Sequence, residues 1–241
     1  MFARGTIINA LSIILGGLLG KVISRFFNEK QQQAINVASG ISVIFIGIAG
    51  SMEGLLSISE QGLSSGRSMF TVLSLAIGTI IGELLKIEDG FEAFGEWLKE
   101  KTGNSKDNNF INGFVTASLT VCIGAMAIVG AIQDGINNDY STLAVKSVLD
   151  FIIVAIMSSS LGNGCLFSFV PVFIWEGSVT ILARVVAPLL TEAAIANLSL
   201  IGSILIFCVG INLVFGKKVS VANMLPAVLV AVIFAYLPFN I

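Results

Sequence analysis

The chain has 241 residues, of which 55% are hydrophobic and only 12% charged, and its mean hydropathy is +0.94. A water-soluble domain of this length carries roughly a quarter charged residues, so the composition excludes a soluble globular fold and predicts an all-α bundle of membrane-spanning helices. The net charge of −2 gives no reason to expect nucleic acid as a partner.

Eight apolar segments, bounded by charges or turn residues, follow one another in chain order. They cover about 5–20, 34–52, 68–82, 110–133, 142–161, 167–187, 196–215 and 221–239. Several are shorter than the ~20 residues of an untilted span, so the sequence allows seven or eight crossings within a single transmembrane domain, 1–241. A Gly-Asn-Gly sequence at 162–164, with Pro171 beyond it, predicts a broken helix region around 158–171.

The distribution of Lys and Arg predicts the orientation in the membrane. The segments 21–33, 83–109 and 216–220 hold nine of the 13 basic residues, among them Lys106. We therefore expect these segments to be cytoplasmic, which places both termini outside if the chain crosses eight times. Lipid is then a partner along the whole length of the chain.

The first four spans contain an internal repeat. At an offset of 62 residues, Leu11, Ser12, Gly16 and Gly20 recur as Leu73, Ser74, Gly78 and Gly82. The repeat predicts two tandem hairpins, 5–56 and 68–136. Such repeats are typical of transporters, although gene duplication also builds membrane proteins that transport nothing. The repeated glycines are spaced for close helix packing, either inside the chain or at the seam of an expected homodimer.

The cytoplasmic segment 83–109 contains an amphipathic helix. Ile87, Phe91, Phe94 and Leu98 lie on one face at helical spacing, with Trp97 beside them. The opposite face is mostly acidic. We expect this helix to lie at the membrane surface or against a partner.

The sequence contains few side chains of the kinds that carry out catalysis or bind metals. The chain has no histidine, and its three cysteines are far apart in apolar surroundings, with no metal-binding spacing. No signature of a nucleotide-binding loop, a serine hydrolase or a zinc protease is present. We therefore expect no enzyme activity, no catalytic residue, no cofactor and no bound metal.

Asp150 is the leading candidate for a functional residue. It lies ten residues beyond Tyr140, which is about 15 Å into a ~30 Å hydrocarbon core. A carboxylate at that depth is costly unless it is protonated, paired or hydrated, so it indicates an ion or proton site. Alternatively, Lys146 neutralises it at i, i+4 spacing for structural reasons. The two hypotheses are compatible, because a lysine can compete with a transported cation for the same acid.

Other polar residues follow Asp150 along the chain. Ser158, Ser159, Ser160 and Asn163 offer neutral oxygens at the predicted helix break, where they could coordinate an ion or hydrogen-bond a solute. Alternatively, the serines bond back to their own helix and the Gly-Asn-Gly sequence is an ordinary loop.

Three further acidic residues lie within or at the ends of predicted spans. Glu176, in the sixth segment, would pair with Asp150 if the two helices pack as a hairpin, or would lie at the membrane interface. Glu53 and Asp134 end matched spans and are predicted to be solvated caps, with an ion-attracting vestibule as the alternative.

Several short motifs follow one another along nearly the whole chain. They are Ile8-Asn9-Ala10, Leu15-Gly16-Gly17-Leu18-Leu19-Gly20, Gly78-Thr79-Ile80-Ile81-Gly82-Glu83, Ile123-Gly124-Ala125-Met126, Asp134-Gly135, Lys146-Ser147-Val148-Leu149-Asp150-Phe151, Ser160-Leu161-Gly162 and Asn223-Met224-Leu225-Pro226-Ala227. With these motifs the chain resembles the YdfK/YqgA family of bacterial integral membrane proteins.

The resemblance implies a multi-pass protein of the bacterial inner membrane without a separate soluble domain. It leaves the activity open, because members of the family are described as domains of unknown function and as possible transporters. It also places Asp150 and Asn223 inside family-like motifs. Asn223 precedes Pro226, which frees a backbone carbonyl, so this region is either a packing kink or a second polar element of a pathway.

The sequence therefore predicts a transporter or channel for a small solute or ion, with a polar site near the bilayer midplane around Asp150. The alternative is a non-transporting membrane scaffold or regulator that acts through the amphipathic helix and the glycine seams.

Overall fold

The computed structural model describes residues 3–59, 62–105, 107–123 and 125–236. Lys106, Gly124 and the predicted end of the last span beyond Tyr236 lie outside the described residues. The elements in chain order are α1 (Arg4–Ser24), α2 (Glu29–Leu55), β1 (Leu56–Ser59), β2 (Gly62–Ser65), α3 (Ser68–Leu85), α4 (Ile87–Lys101), α5 (Phe110–Cys122), α6 (Ala125–Asn137), α7 (Ser141–Leu161), a 3₁₀ segment (Asn163–Ser168), α8 (Phe169–Ile181), α9 (Ala183–Val186), a 3₁₀ turn (Ala187–Leu189), α10 (Glu192–Phe215), α11 (Val221–Met224) and α12 (Pro226–Phe234). The strands β1 and β2 form one antiparallel hairpin.

This architecture confirms the predicted all-α bundle of membrane helices. Within the described ranges, six helices are long and apolar enough to cross a membrane: Arg4–Ser24, Lys30–Leu55, Ser68–Leu85, Ser141–Leu161, Asn163–Ile181 and Glu192–Phe215. The fourth predicted span is a broken pair, α5 and α6, bent by 62°. The last predicted span corresponds to a shorter apolar helix, Val221–Phe234.

The predicted break after the fifth span is also confirmed. Helix α7 ends at Leu161, and Gly162 adopts a φ of 90°, which a residue with a side chain rarely tolerates. The 3₁₀ segment that follows leads directly into α8, with Pro171 in its first turn. Proline is well tolerated there because the first helical N–H groups have no partner within the helix.

The described residues divide into two compact units. The first comprises the chain through Ser39 together with Gly90–Ala187, and the second comprises Gly40–Asp89 together with the described residues from Pro188 onward.

In the first unit, α1 packs in parallel along α7. Contact positions rise together on the two helices, because Gly5 meets Leu143 and Gly16 meets the backbone of Phe151. A Cβ atom on Gly16 would lie only 2.5 Å from the Phe151 carbonyl oxygen. The glycines of α1 are therefore needed for close packing inside the chain, as one of the two sequence interpretations predicts.

The parallel arrangement of α1 and α7 constrains the membrane topology. Two parallel spanning helices enter from the same side, so the chain must cross an odd number of times between them. Helices α2 and α3, with the bent pair α5–α6 counted as one span, satisfy that requirement.

In the second unit, the helices pair in antiparallel fashion. Along α2 and α10, Gly47 meets Phe207 and Gly54 meets Leu200. Helix α3 packs through Gly78 against Ala227, at the start of α12. The buried cluster of this unit is apolar and consists of Phe70, Leu200, Ile201, Ala227 and Ala231.

The predicted amphipathic helix is α4. It begins just after Lys86, whose left-handed conformation with a φ of 51° ends α3. Leu98 is buried against Phe110 and Phe114 of the first unit, with Phe94 packed beside them. Trp97 stacks on Phe94 and remains 52% exposed, so an indole ring is available at the surface of this helix.

Candidate functional site

Four polar side chains meet inside the first unit, where α1, α7 and α8 pack together. Asn9 comes from α1, Lys146 and Asp150 from α7, and Glu176 from α8. Their exposed fractions are 0%, 6%, 4% and 0%, respectively. We refer to these four residues as the polar cluster. The structure thus brings together three of the predicted site residues and adds Asn9.

Lys146 is the central donor of the polar cluster. Its Nζ forms an ion pair with Asp150 Oδ2 one helical turn further on. The same nitrogen lies 3.5 Å from Glu176 Oε1 and donates a hydrogen bond of 2.8 Å to the carbonyl oxygen of Val121. An ammonium group has three N–H donors, and two of them are used in hydrogen bonds to Asp150 and to Val121.

The Val121 carbonyl is available because α5 stops at Cys122. Ile123 is extended, with a ψ of 120°, so the last carbonyls of α5 lack the donors that a continuing helix would provide. The C-terminal end of a helix also carries a partial negative charge, which favours a nearby cation. Lys146 therefore links the helix break to the two carboxylates.

Asn9 and Glu176 connect α1 to α8. Asn9 Nδ2 donates a hydrogen bond of 2.8 Å to Glu176 Oε1. One turn along each helix, the hydroxyls of Thr6 and Thr180 lie 3.4 Å apart. Asn9 Oδ1 and Glu176 Oε2 are both buried and have no hydrogen-bond partner among the described residues.

The polar cluster lies near the middle of α7. Asp150 is nine residues beyond Ser141, or ~14 Å along a helix that is ~31 Å long. That length equals the thickness of the hydrocarbon core of a bilayer, and Asp150 lies close to the middle of the helix.

The charges of the polar cluster do not balance when both acids are ionised. One lysine then faces two carboxylates, which leaves one net negative charge. An uncompensated charge is very unfavourable in a medium of low dielectric constant. A bound cation or a proton would remove this excess negative charge. The arrangement of these side chains is therefore suited to binding a cation or a proton.

The structure does not bring the serine run to the polar cluster. Ser158 donates to the Gly17 carbonyl at 2.9 Å, Ser159 to Ile156 at 2.7 Å and Ser160 to Met157 at 3.2 Å. Ser158 lies eight residues beyond Asp150, or ~12 Å along the helix. The hydroxyl protons are thus directed at backbone carbonyls, while the hydroxyl oxygens keep capacity to accept.

Asn163 begins the 3₁₀ segment that follows α7. Its backbone N–H donates to Asp107 Oδ2 at 3.1 Å, and its side-chain amide donates to Asn104 Oδ1 at 3.3 Å. These contacts tie the turn after α7 to the loop between α4 and α5.

Asn223 belongs to the second unit, where it holds the corner between α3 and α4. Its Oδ1 accepts a hydrogen bond of 2.7 Å from the Glu88 N–H, and its Nδ2 donates to Glu83 Oε1 at 3.0 Å. Glu88 also pairs with Lys217 at 2.6 Å. Both ends of the Asn223 amide therefore have structural partners.

The prediction that Asp134 is a solvated cap is wrong. Asp134 is 1% exposed, and its Oδ2 accepts a hydrogen bond of 2.8 Å from the Gly5 N–H. It caps the start of α1, which Ala3 cannot cap, since alanine has no side-chain acceptor. Glu53, by contrast, is exposed and lines a cavity of about 410 Å³ in the second unit together with Arg67.

Sequence reasoning missed Asn9 and the carbonyl of Val121. A signal for Asn9 was present, because Thr6, Asn9, Ile13, Gly16 and Gly20 share one face of α1 at spacings of three and four. All five are buried. A stripe of polar and small residues on an otherwise apolar helix indicates the face that packs inside the protein.

Long apolar helices, with ionisable groups buried between the helices of the first unit, define a polytopic α-helical membrane protein. The chain belongs to the family described as Protein of unknown function (DUF554), which matches residues 4–236. It is 28% identical to the Uncharacterized membrane protein YdfK of Bacillus subtilis (strain 168), over 98% of each chain. It is 29% identical to the Uncharacterized protein YqgA of Escherichia coli (strain K12), over 94% of each chain. No solved structure matches it.

Proposed function

We propose that the protein is a transporter or channel of the bacterial inner membrane that moves a small solute or ion through the polar cluster. The observation that carries the proposal is the burial of Asp150 and Glu176 around a single lysine, with Asp150 near the middle of a helix long enough to span a bilayer. Ionisable groups at such positions face a high desolvation cost and mark ion or proton pathways in membrane proteins.

Stability alone gives little reason for these charges. Replacing a buried ion pair by apolar residues of similar volume is often neutral or stabilising. The second unit illustrates the alternative, since Phe70, Leu200 and Ile201 form an apolar core between its helices. The charges of the first unit are better explained by a function that requires them.

In the proposed mechanism, the ammonium group of Lys146 and the transported cation bind to Asp150 alternately. A cation arriving at Asp150 displaces the ammonium, which keeps its hydrogen bond to the Val121 carbonyl. The bent pair α5–α6 lies beside this site, and broken helices of this kind provide ion-coordinating carbonyls in transporters. Ser158, Ser159, Ser160 and Asn163 supply neutral oxygens further along the route, towards the cytoplasmic end of α7.

Flux measured in proteoliposomes tests the proposal. Protein reconstituted with a pH-sensitive dye, and separately with labelled Na⁺ or K⁺, is compared with Asp150→Asn. We expect the flux to fall at least tenfold in the variant, because the amide cannot balance a cation. Glu192→Gln is the matched control, since Glu192 is an exposed carboxylate at the start of α10 and should leave the flux unchanged. Flux that survives in Asp150→Asn would contradict the mechanism.

The exposed indole of α4 favours a second candidate function, that of a membrane scaffold. Trp97 presents half of its surface on an amphipathic helix, which is a feature of partner-binding helices. In that case a stoichiometric partner should co-purify with the protein and be lost in Trp97→Ala, while no flux is detected.

A further inference from the structure

The contact between Asn9 and Glu176 contains two unmatched acceptors. Asn9 Nδ2 donates to Glu176 Oε1 at 2.8 Å, which uses one edge of each group. The remaining oxygens, Asn9 Oδ1 and Glu176 Oε2, are both acceptors when the acid is ionised, and both are buried without a partner among the described residues. Two acceptors cannot satisfy each other, and a buried polar atom without a partner costs about 1–3 kcal/mol.

A single proton would satisfy both atoms. A carboxylic acid and a primary amide form two hydrogen bonds head to head, one in each direction. With a proton on Oε2, Glu176 donates to Asn9 Oδ1 while Oε1 continues to accept from Asn9 Nδ2.

The surrounding charges favour the same arrangement. From α7, Lys146 forms its ion pair with Asp150 and reaches Glu176 only at 3.5 Å. From α5, the Val121 carbonyl accepts a hydrogen bond from Lys146, and the Cys122 thiol lies close by. From α1, Asn9 and Thr6 bring no charge. Glu176 is therefore the acid whose charge no described cation balances fully.

We propose that Glu176 holds a proton, with Oε2–H donating to Asn9 Oδ1, and that this proton is the ion that the transporter moves or couples to. The inference deepens the proposed function and rests on it for the movement. The polar cluster is then neutral at rest, with one lysine, one carboxylate and one carboxylic acid.

Loss of the proton from Glu176 would couple proton movement to a change in helix packing. When Glu176 releases H⁺, its two oxygens share the negative charge, and Oε2 and Asn9 Oδ1 are again two buried acceptors without a donor. Loss of that hydrogen bond weakens the contact between α1 and α8, and the new charge competes with Asp150 for Lys146. Proton release on one side of the membrane and uptake on the other would thus change the helix contacts around the site.

Infrared spectroscopy tests the assignment directly. A protonated carboxyl group has a carbonyl stretching band well separated from that of a carboxylate, and the band shifts in D₂O. We expect the purified wild type at neutral pH to show such a band, and the band to be lost in Glu176→Gln. The glutamine side chain retains a donor and an acceptor for Asn9, so this variant should fold. Asp134→Asn removes another buried acid of the same unit and should keep the band.

Two outcomes separate this inference from the proposed function. If the wild type and Glu176→Gln have identical spectra in this region, Glu176 carries no proton and the inference is overturned, whatever the flux assay shows. If the band is assigned to Glu176 but no proton uptake is seen in proteoliposomes, the protonated state is supported and movement of this proton is contradicted, while Na⁺ or K⁺ flux still tests the proposed function. A band together with proton uptake that fails in Glu176→Gln supports both.

Discussion

At the scale of single residues, Lys146 contacts two buried carboxylates and a backbone carbonyl oxygen. Replacing it by methionine leaves Asp150 buried without its cation and the Val121 carbonyl without its donor. Breaking a buried ion pair by removing one partner costs about 3–5 kcal/mol. We expect Lys146→Met to lower the free energy of unfolding in detergent by that amount, as measured by chemical denaturation.

The double variant Lys146→Met/Asp150→Leu provides the control for this prediction. It removes the lysine and its principal carboxylate together, so Asp150 is no longer left as a buried carboxylate without its cation. We expect it to recover more than half of the lost stability. Equal losses in the single and double variants would show that the ion pair is not the source of the effect.

Asp134 carries a second prediction at this scale. Its carboxylate accepts from the Gly5 N–H at the positive end of the α1 dipole, inside the protein. Asp134→Ala removes both the acceptor and the charge and should lower the unfolding free energy by about 1–2 kcal/mol. Asp134→Asn keeps an acceptor oxygen and should lose less. A larger loss for asparagine than for alanine, measured by denaturation, would argue against capping.

The contacts of the polar cluster, of Val121 and of Asp134 can be predicted from the sequence to different extents. The pairing of Lys146 with Asp150 follows from i, i+4 spacing on one helix, so it is visible locally. The membership of Glu176 depends on how two helices pack, and sequence reasoning could state it only as a condition. The roles of Val121 and Asp134 arise from contacts with distant segments, Lys146 and Gly5, which no local pattern specifies.

At the scale of helices, the packing of α1 on α7 depends on Gly20. A Cβ atom there would collide with the Ala155 carbonyl and lie 2.7 Å from Ser158 Cβ. Overpacking a tight interface typically costs about 1–3 kcal/mol, and backbone atoms of two helices cannot move aside easily. We expect Gly20→Val to lower the melting temperature of the purified protein and its yield.

Gly90 offers the matched control for this substitution. It lies in α4, and a Cβ atom at this position would meet nothing within 4 Å. Gly90→Ala should leave the melting temperature unchanged or raise it slightly, because alanine favours the helical conformation. If Gly20→Val proves as harmless as Gly90→Ala, the close contact between α1 and α7 is wrong.

Hydropathy identifies the membrane segments but not their interruptions. The fourth predicted span runs without a break over 110–133, whereas the helix breaks after Cys122 and continues to Asn137. Apolar residues lie on both sides of the break, so no polarity change indicates it. What stabilises the interruption is Lys146, from a different helix, whose ammonium satisfies the Val121 carbonyl. The Gly-Asn-Gly break after α7, by contrast, is encoded locally and was predicted.

At the scale of the whole molecule, the direction of each helix predicts which loops face the same side. The parallel packing of α1 and α7 requires the bent pair α5–α6 to cross the membrane once. Ser105, before α5, and Asn137, at the end of α6, must then lie on opposite sides. The distribution of lysine and arginine further predicts that Ser105 is cytoplasmic.

Cysteine labelling in intact cells measures this topology. In a background without Cys122, Cys165 and Cys208, single cysteines replace the exposed residues Ser64, Ser105, Asn137 and Lys218. We expect a membrane-impermeant thiol reagent to label Ser64→Cys and Asn137→Cys from outside. Ser105→Cys and Lys218→Cys should react only after the membrane is permeabilised.

The labelling pattern distinguishes a wrong orientation of the whole chain from a wrong assignment of α5–α6 as a membrane-crossing segment. If all four cysteines show the opposite accessibility, the relative directions of the helices are still correct. The orientation predicted from the lysine and arginine residues is then wrong. Labelling of Ser105→Cys and Asn137→Cys from the same side would instead mean that α5–α6 is a re-entrant loop. The break beside Lys146 would then be the tip of a segment that enters and leaves on one face, and the polar cluster would be reached from that face alone.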